Sequence, residues 1–333
     1  MADIKDIPTT EGTIPFTVPS VKKPCSTYYK TFGELSCGKP PVIVLHGGPG
    51  AGSGFVEEFG SLWPKHGLPV IVYDQIGCGK STNLDDERDG DESFWVPELF
   101  IAELENLLDH FGMRESGRPG FFLFGLSWGA MLGAEFATLR PQGLRGLILA
   151  CPVASQELFI KGMAIRVSEL PQDAQDAINE GIRTQDASTD TFKKAYRQFV
   201  QHAVIRVDPL PPAFEWFIDW AMTPSRGVNS TMFGKFPIPS RAHDGGGGSL
   251  RDFNVIPRLH LIEAPTLVIN GEHDQSHDVC VAPFFENIPK VRWYTIPGAS
   301  HCQTWEGEPY RGTFYKLIGD FLTQLGSKDA AEK

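Results

Sequence analysis

Short, mostly apolar stretches, each stopped by glycine or polar residues, alternate along this chain with stretches whose apolar positions recur at helical spacing. Residues 41–45, 70–74, 120–124, 144–149, 264–270 and 291–296 are runs of strand length, too short for buried helices. Continuous rather than alternating hydrophobicity marks strands buried on both faces. Residues 97–111 instead place Leu99, Ile101, Leu104, Leu107, Leu108 and Phe111 along one helical stripe. A helix rich in small residues follows Ser127, and another occupies about 308–325. Strands alternating with helices predict an α/β fold, a mostly parallel sheet with helices on both faces. The first 40 residues, rich in Pro, Thr and Lys, read as an antiparallel entry, with 26–32 alternating like a strand.

The rhythm breaks after Cys151-Pro152. Residues 155–223 carry helix-like segments and no strand pattern, and 224–250 read as loop. That loop ends in the run Gly245–Gly248, which fits a flexible natural loop or an engineered linker. The expected organisation is a core of residues 1–151 and 256–333, interrupted by a mainly helical cap at 152–255. A chain of 333 residues is long enough for a large core with such an insertion.

Charge and cysteine usage narrow the function. The formal net charge is −11, which argues against a nucleic-acid partner, because phosphate binding needs a basic face. The N-terminus has no apolar run suited to a signal peptide, and no stretch approaches the roughly 20 apolar residues of a membrane helix. The six cysteines are scattered without CxxC or zinc-like spacing, so free thiols in a reducing cytoplasm are expected.

Gly125-Leu-Ser-Trp-Gly129 places a serine between a strand and a helix, where the pattern G-x-S-x-G makes a turn too tight for larger neighbours. Such a turn lifts the hydroxyl above the sheet and aims the helix N-terminus at a developing oxyanion. A serine nucleophile needs a base, and the base needs a carboxylate to fix its tautomer. Asp274 follows the run ending in Asn270-Gly271, and His301 follows the run ending in Ile296. Ser127, Asp274 and His301 come in the chain order of this kind of triad, each at a strand's C-terminal end. Asp278 is an alternative acid. His273 and His277 precede the last strand, out of order for a base, and Cys302 reads as packing beside His301. His46-Gly-Gly-Pro-Gly50 brings backbone N–H groups close to a substrate oxygen, and the N–H of Gly48 with that of Trp128 would form an oxyanion hole; Gly47 is the weaker choice. No Lys-Ser/Thr follows this loop, so a phosphate-binding reading fails.

Together His46–Gly50, Tyr73-Asp-Gln-Ile-Gly-Cys-Gly-Lys-Ser81, Gly125–Gly129, Gly271-Glu-His-Asp274 and His301 resemble the proline iminopeptidase family of α/β-hydrolases. The resemblance implies a helical cap, no metal or other cofactor, and cleavage of an amide or ester beside a free amino group in a small molecule or short peptide. It also implies cap carboxylates that hold the substrate ammonium. Asp219, with Glu215 as second choice, falls where one such carboxylate belongs; the second usually lies in a stretch that here reads Met232-Phe-Gly-Lys-Phe-Pro237, without a glutamate. The cap aromatics Phe214, Trp216, Phe217, Trp220, Phe233 and Phe236 suit either a ring-containing substrate, with Trp216 as a contact, or packing of cap on core. An esterase or lactonase without amino-terminal recognition is the alternative enzyme. A ligand-binding receptor is the non-enzymatic one.

Overall fold

The computed structural model describes residues 6–223, 227–240 and 247–331, so Gly245 and Gly246 of the glycine run lie outside the described residues. Eight strands, β1 (Thr9–Phe16), β2 (Cys25–Phe32), β3 (Val42–Leu45), β4 (Val70–Tyr73), β5 (Phe121–Leu126), β6 (Leu144–Ala150), β7 (Thr266–Gly271) and β8 (Val291–Ile296), form one sheet. Their order is β1-β2-β4-β3-β5-β6-β7-β8. β2 runs antiparallel to both its neighbours, and β4 through β8 pair in parallel. The β1–β2 hairpin is the antiparallel entry that the alternation in 26–32 announces.

Side chains along a strand alternate between faces, and the apolar runs therefore feed two cores. Ile43, Leu45, Ile71, Tyr73, Leu123 and Leu149 pack with the helices Pro97–His110 and Trp128–Thr138. Val42, Val44, Val70, Val72, Phe122 and Phe124 pack on the other face with Phe59 and with Phe314, Ile318 and Leu322 of the helix Tyr310–Ala331. Every residue of β3 and β4 is buried, as their unbroken hydrophobicity requires.

β4 lies on one side of β3 and β5, the next strand in the chain, on the other. The loops leaving β3 and β5 therefore head opposite ways, the arrangement in which open α/β sheets place a ligand crevice at the strands' C-terminal ends. Between β6 and β7 the chain leaves the sheet for the helices Gln156–Ser168, Gln172–Thr184, Asp190–Phe199, Pro212–Ala221 and Val228–Phe233. Ser155 caps the first and Thr189 the third, each accepting from a first-turn N–H. The neck of this insertion is tied by the Ser155–Asn254 bridge and by Gln156 N–H to Phe253 C=O and Val255 N–H to Ala154 C=O, at 2.9 and 3.0 Å. Among the described residues no helix is long and apolar enough to cross a membrane.

Candidate active site

Ser127 ends β5 and starts the helix Trp128–Thr138 with φ 56° and ψ −117°, a left-handed conformation that non-glycine residues seldom adopt. The turn is held from below by Ser127 N–H to Ala150 C=O at 2.8 Å. A Cβ on Gly129 would stand 2.2 Å from the Leu45 carbonyl oxygen, so only glycine lets this helix seat against β3.

Asp274 and His301 meet across the ends of β7 and β8. His301 Nδ1 lies 2.6 Å from Asp274 Oδ1, and both residues are buried. The carboxylate also accepts Ser276 N–H at 2.8 Å and Gly271 N–H at 3.4 Å, which fixes its orientation. With Nδ1–H given to Asp274, the lone pair of Nε2 is the basic site of the ring. The rival groups are occupied elsewhere. Asp278 accepts from Asn270 Nδ2, the His277 ring caps a helix by accepting Val279 N–H, and the His273 ring packs beside His202.

Cys151 links the serine to this pair. It follows Ala150, the acceptor of Ser127 N–H, and its thiol donates to the His301 carbonyl at 3.4 Å. Donor atoms of Cys151, Asp274 and His301 lie within 4.8 Å of one another, a spacing that could hold a metal. Burial, and then the Asp274 charge, push the Cys151 thiol well above its ordinary range, so it stays protonated and is a poor ligand.

The loop after β3 lies against Ser127, since a Cβ on Gly47 would fall 3.3 Å from Ser127 Cβ. Gly48 has φ 113°, and among the described residues neither its N–H nor that of Trp128 has an acceptor. His46 is enclosed, and burial lowers its pKa, so the ring is neutral. Its Nδ1–H donates to Gly47 C=O at 2.8 Å, and Nε2 accepts Gln75 N–H at 3.0 Å.

The insertion grips the loops that carry Asp274 and His301. Val200–Val204 forms a π-helical turn. Ala203 C=O accepts the N–H of Gln275, next to Asp274, and Val204 C=O accepts the N–H of Cys302, next to His301, at 3.0 and 2.8 Å. Buried Glu306 accepts Arg206 N–H at 2.7 Å, Ser300 N–H at 3.0 Å and the Ser300 hydroxyl. Arg166 donates to the carbonyls of Asp274 and Glu272 at 2.8 and 2.5 Å.

The three cap residues singled out from the sequence share the helix Pro212–Ala221, whose buried side is Phe214, Ile218 and Ala221. Phe214 packs on Trp305, just beyond His301, at 5.5 Å between ring centroids. Glu215 is taken by Arg197 through two hydrogen bonds of 2.5 Å. Trp216 is 58% exposed and stacks on Trp220. Asp219 is exposed, and among the described residues no cation pairs with it. The structure thus brings Ser127, Asp274 and His301 to one end of the sheet, but ties none of these three cap residues to the loops that carry them. Sequence reasoning missed Gln75, Cys151, Arg166 and Glu306. Only Gln75 lay in a noticed motif, Tyr73–Ser81.

The family model for the α/β hydrolase fold matches residues 40–308. A proline iminopeptidase of Lactobacillus helveticus is 30% identical over 280 residues, covering 83% of this chain and 87% of the relative. The crystal structure of a proline iminopeptidase from Mycobacterium smegmatis superposes with a TM-score of 0.80 at 31% identity, over 96% of this chain and all of that one. The crystal structure of VinJ does so with a TM-score of 0.80 at 36% identity, over 95% of this chain and 99% of that one.

Proposed function

The chain belongs to the proline iminopeptidase family of α/β-hydrolases, and from that footing we propose that it uses Ser127, His301 and Asp274 to cleave an amide or peptide bond next to an N-terminal, proline-like residue. The observation that carries this reading is the buried 2.6 Å pair of His301 and Asp274 after β7 and β8, with Ser127 held at φ 56° at the end of β5 in the same sheet. His301 Nε2 takes the Ser127 proton as Oγ attacks the carbonyl carbon. The displaced electron pair goes to the carbonyl oxygen, which the N–H groups of Gly48 and Trp128 receive. Collapse expels the amine with the proton from His301, and water, deprotonated by the same ring, hydrolyses the acyl-enzyme. The helices between β6 and β7 act as the cap over this site. Asp219, a cap carboxylate with which no cation of the described residues pairs, is the group for a substrate ammonium, with Trp216 one turn before it on the same helix. A small molecule or short peptide is the substrate, and a reducing compartment such as the cytoplasm suits the six unpaired thiols. Glu215, already matched by Arg197, favours the second reading, a hydrolase of esters or lactones without amine recognition.

One comparison tests both. L-prolyl 4-nitroanilide and 4-nitrophenyl acetate are offered to the wild type, Ser127→Ala and Asp219→Asn. Ser127→Ala loses turnover of both substrates, on the order of 10⁶-fold. Asp219→Asn raises KM about tenfold for the anilide, the effect of roughly 1.4 kcal/mol of charge pairing, and leaves the ester unchanged. Turnover by Ser127→Ala within tenfold of wild type would sink the triad. A wild type that splits the ester and no aminoacyl anilide belongs to the second reading.

A further inference from the structure

An oxyanion hole works only if its two donors converge on one point, and here they come from different elements, the loop after β3 and the helix after β5. The side chain of Gln75, on the loop after β4, touches both. Its Nε2–H donates to His46 C=O at 3.1 Å, and its Oε1 accepts the Trp128 indole N–H at 2.9 Å. An indole N–H only donates and a carbonyl only accepts, so the amide has one orientation that satisfies both. Its backbone N–H adds the bond to His46 Nε2, and that ring's other nitrogen holds Gly47 C=O, adjoining Gly48. All three side chains are enclosed: His46 is 0%, Gln75 1% and Trp128 1% exposed. Water does not replace these bonds where it does not reach.

Gln75 is itself held. Ile76 N–H donates to both oxygens of buried Glu103, at 3.0 and 2.9 Å, and Asp74 accepts Ser53 N–H and Lys80 N–H at 2.6 and 2.7 Å. The loop after β4 is thereby tied down on either side of the amide, which can then act as a strut. We propose that Gln75 is the positioning residue of the oxyanion hole, setting the separation of the Gly48 and Trp128 N–H groups by bonding to the peptide before one and the side chain of the other. Its contribution belongs to the transition state, because the donors matter most when charge reaches the oxygen.

The inference rests on Ser127 being the nucleophile, so the test begins with wild-type hydrolysis of 4-nitrophenyl acetate and inhibition by phenylboronic acid. That acid adds to a serine hydroxyl and puts a tetrahedral oxygen where the oxyanion forms. Gln75→Met keeps the length of the side chain and removes both hydrogen bonds. In the folded variant kcat falls by about 10²-fold, the effect of a small misplacement. KM stays within twofold, and the inhibition constant of phenylboronic acid rises in step with the loss of kcat. Trp128→Phe breaks the Oε1 bond from its other end, and the double variant loses little more than Gln75→Met alone. A residue that only supports the fold would lower the melting temperature and leave kcat and boronate binding intact at 25 °C. A folded Gln75→Met with kcat within twofold of wild type overturns the proposal, as do losses that multiply in the double variant. Should Gln75→Met fail to fold, Trp128→Phe alone decides, and unchanged kcat and boronate affinity overturn it. A wild type that neither hydrolyses the ester nor binds the boronate overturns the serine-hydrolase reading, and this inference with it.

Discussion

Glu103 and Asp274 are both carboxyl groups without exposed surface, yet their partners differ. Asp274 faces an imidazole and two N–H groups. Glu103 faces Thr27 Oγ1 and the N–H of Ile76, and among the described residues no cation. Burial therefore raises the Glu103 pKa from 4.5 to about 8, against the pull of those hydrogen bonds. The sign follows from proton counting. Between 4.5 and about 8 the folded chain keeps a proton that the unfolded chain has released. Stability is thus fully present below the unfolded value and is lost as pH rises through the folded one. Glu103→Gln keeps a neutral acceptor and removes the titration. The unfolding free energy of Glu103→Gln minus that of wild type should climb from pH 5 to pH 8, by at most about 1.4 kcal/mol per pH unit. A difference that stays flat across that window would mean Glu103 is ionised in the folded protein.

The π-helical turn Val200–Val204 is the element that joins the insertion to the loops of Asp274 and His301. Its carbonyls at Ala203 and Val204 hold the residues after Asp274 and His301, and Glu306 ties Arg206 to Ser300. Glu306→Gln turns an amide NH₂ toward N–H or O–H donors, so at least one bond is lost and a donor is left buried. Such a defect costs about 1–3 kcal/mol. Amide exchange at Arg206, Gln275 and Cys302 should quicken in that variant while the β5 and β6 amides keep wild-type protection. Quickening spread evenly over the sheet would mean the seam does not open by itself. None of this was legible in the sequence. The placement of Ser127, Asp274 and His301 after the ends of β5, β7 and β8 was, because the strand before each is visible in the sequence. A π-turn has no comparable pattern, and Glu306 is a lone glutamate whose partner lies 100 residues away. Gln75 stood inside a noticed motif, but its role depends on the His46 carbonyl and the Trp128 indole, which only the strand order brings together.

At the scale of the whole molecule, the break in rhythm after Cys151 announced an insertion, and the alternation on either side announced the sheet. What the pattern could not tell is whether insertion and core share one interior. They do: Phe159, Met163, Ile178, Phe192, Phe199 and Met232 of the insertion belong to the same buried cluster as Leu45, Tyr73, Phe100 and Trp128. Chains part into independently stable units where few contacts cross the boundary. Here that boundary carries a continuous apolar cluster, the clasp of the π-turn, and Arg166 reaching to Asp274 and Glu272. Stripping the insertion away would remove Phe159, Met163, Phe192 and Phe199 from that shared cluster and open the core residues packed with them to water, an unfavourable transfer. Insertion and core should therefore unfold in one transition. Helical and near-ultraviolet signals should give coincident melting curves, and the calorimetric and van't Hoff enthalpies should agree. An earlier melting step that loses helix while the sheet amides remain protected would show that the insertion folds as a unit of its own. The grip of the π-turn on Gln275 and Cys302 would then be lost before the fold is, and activity would fall at that first step.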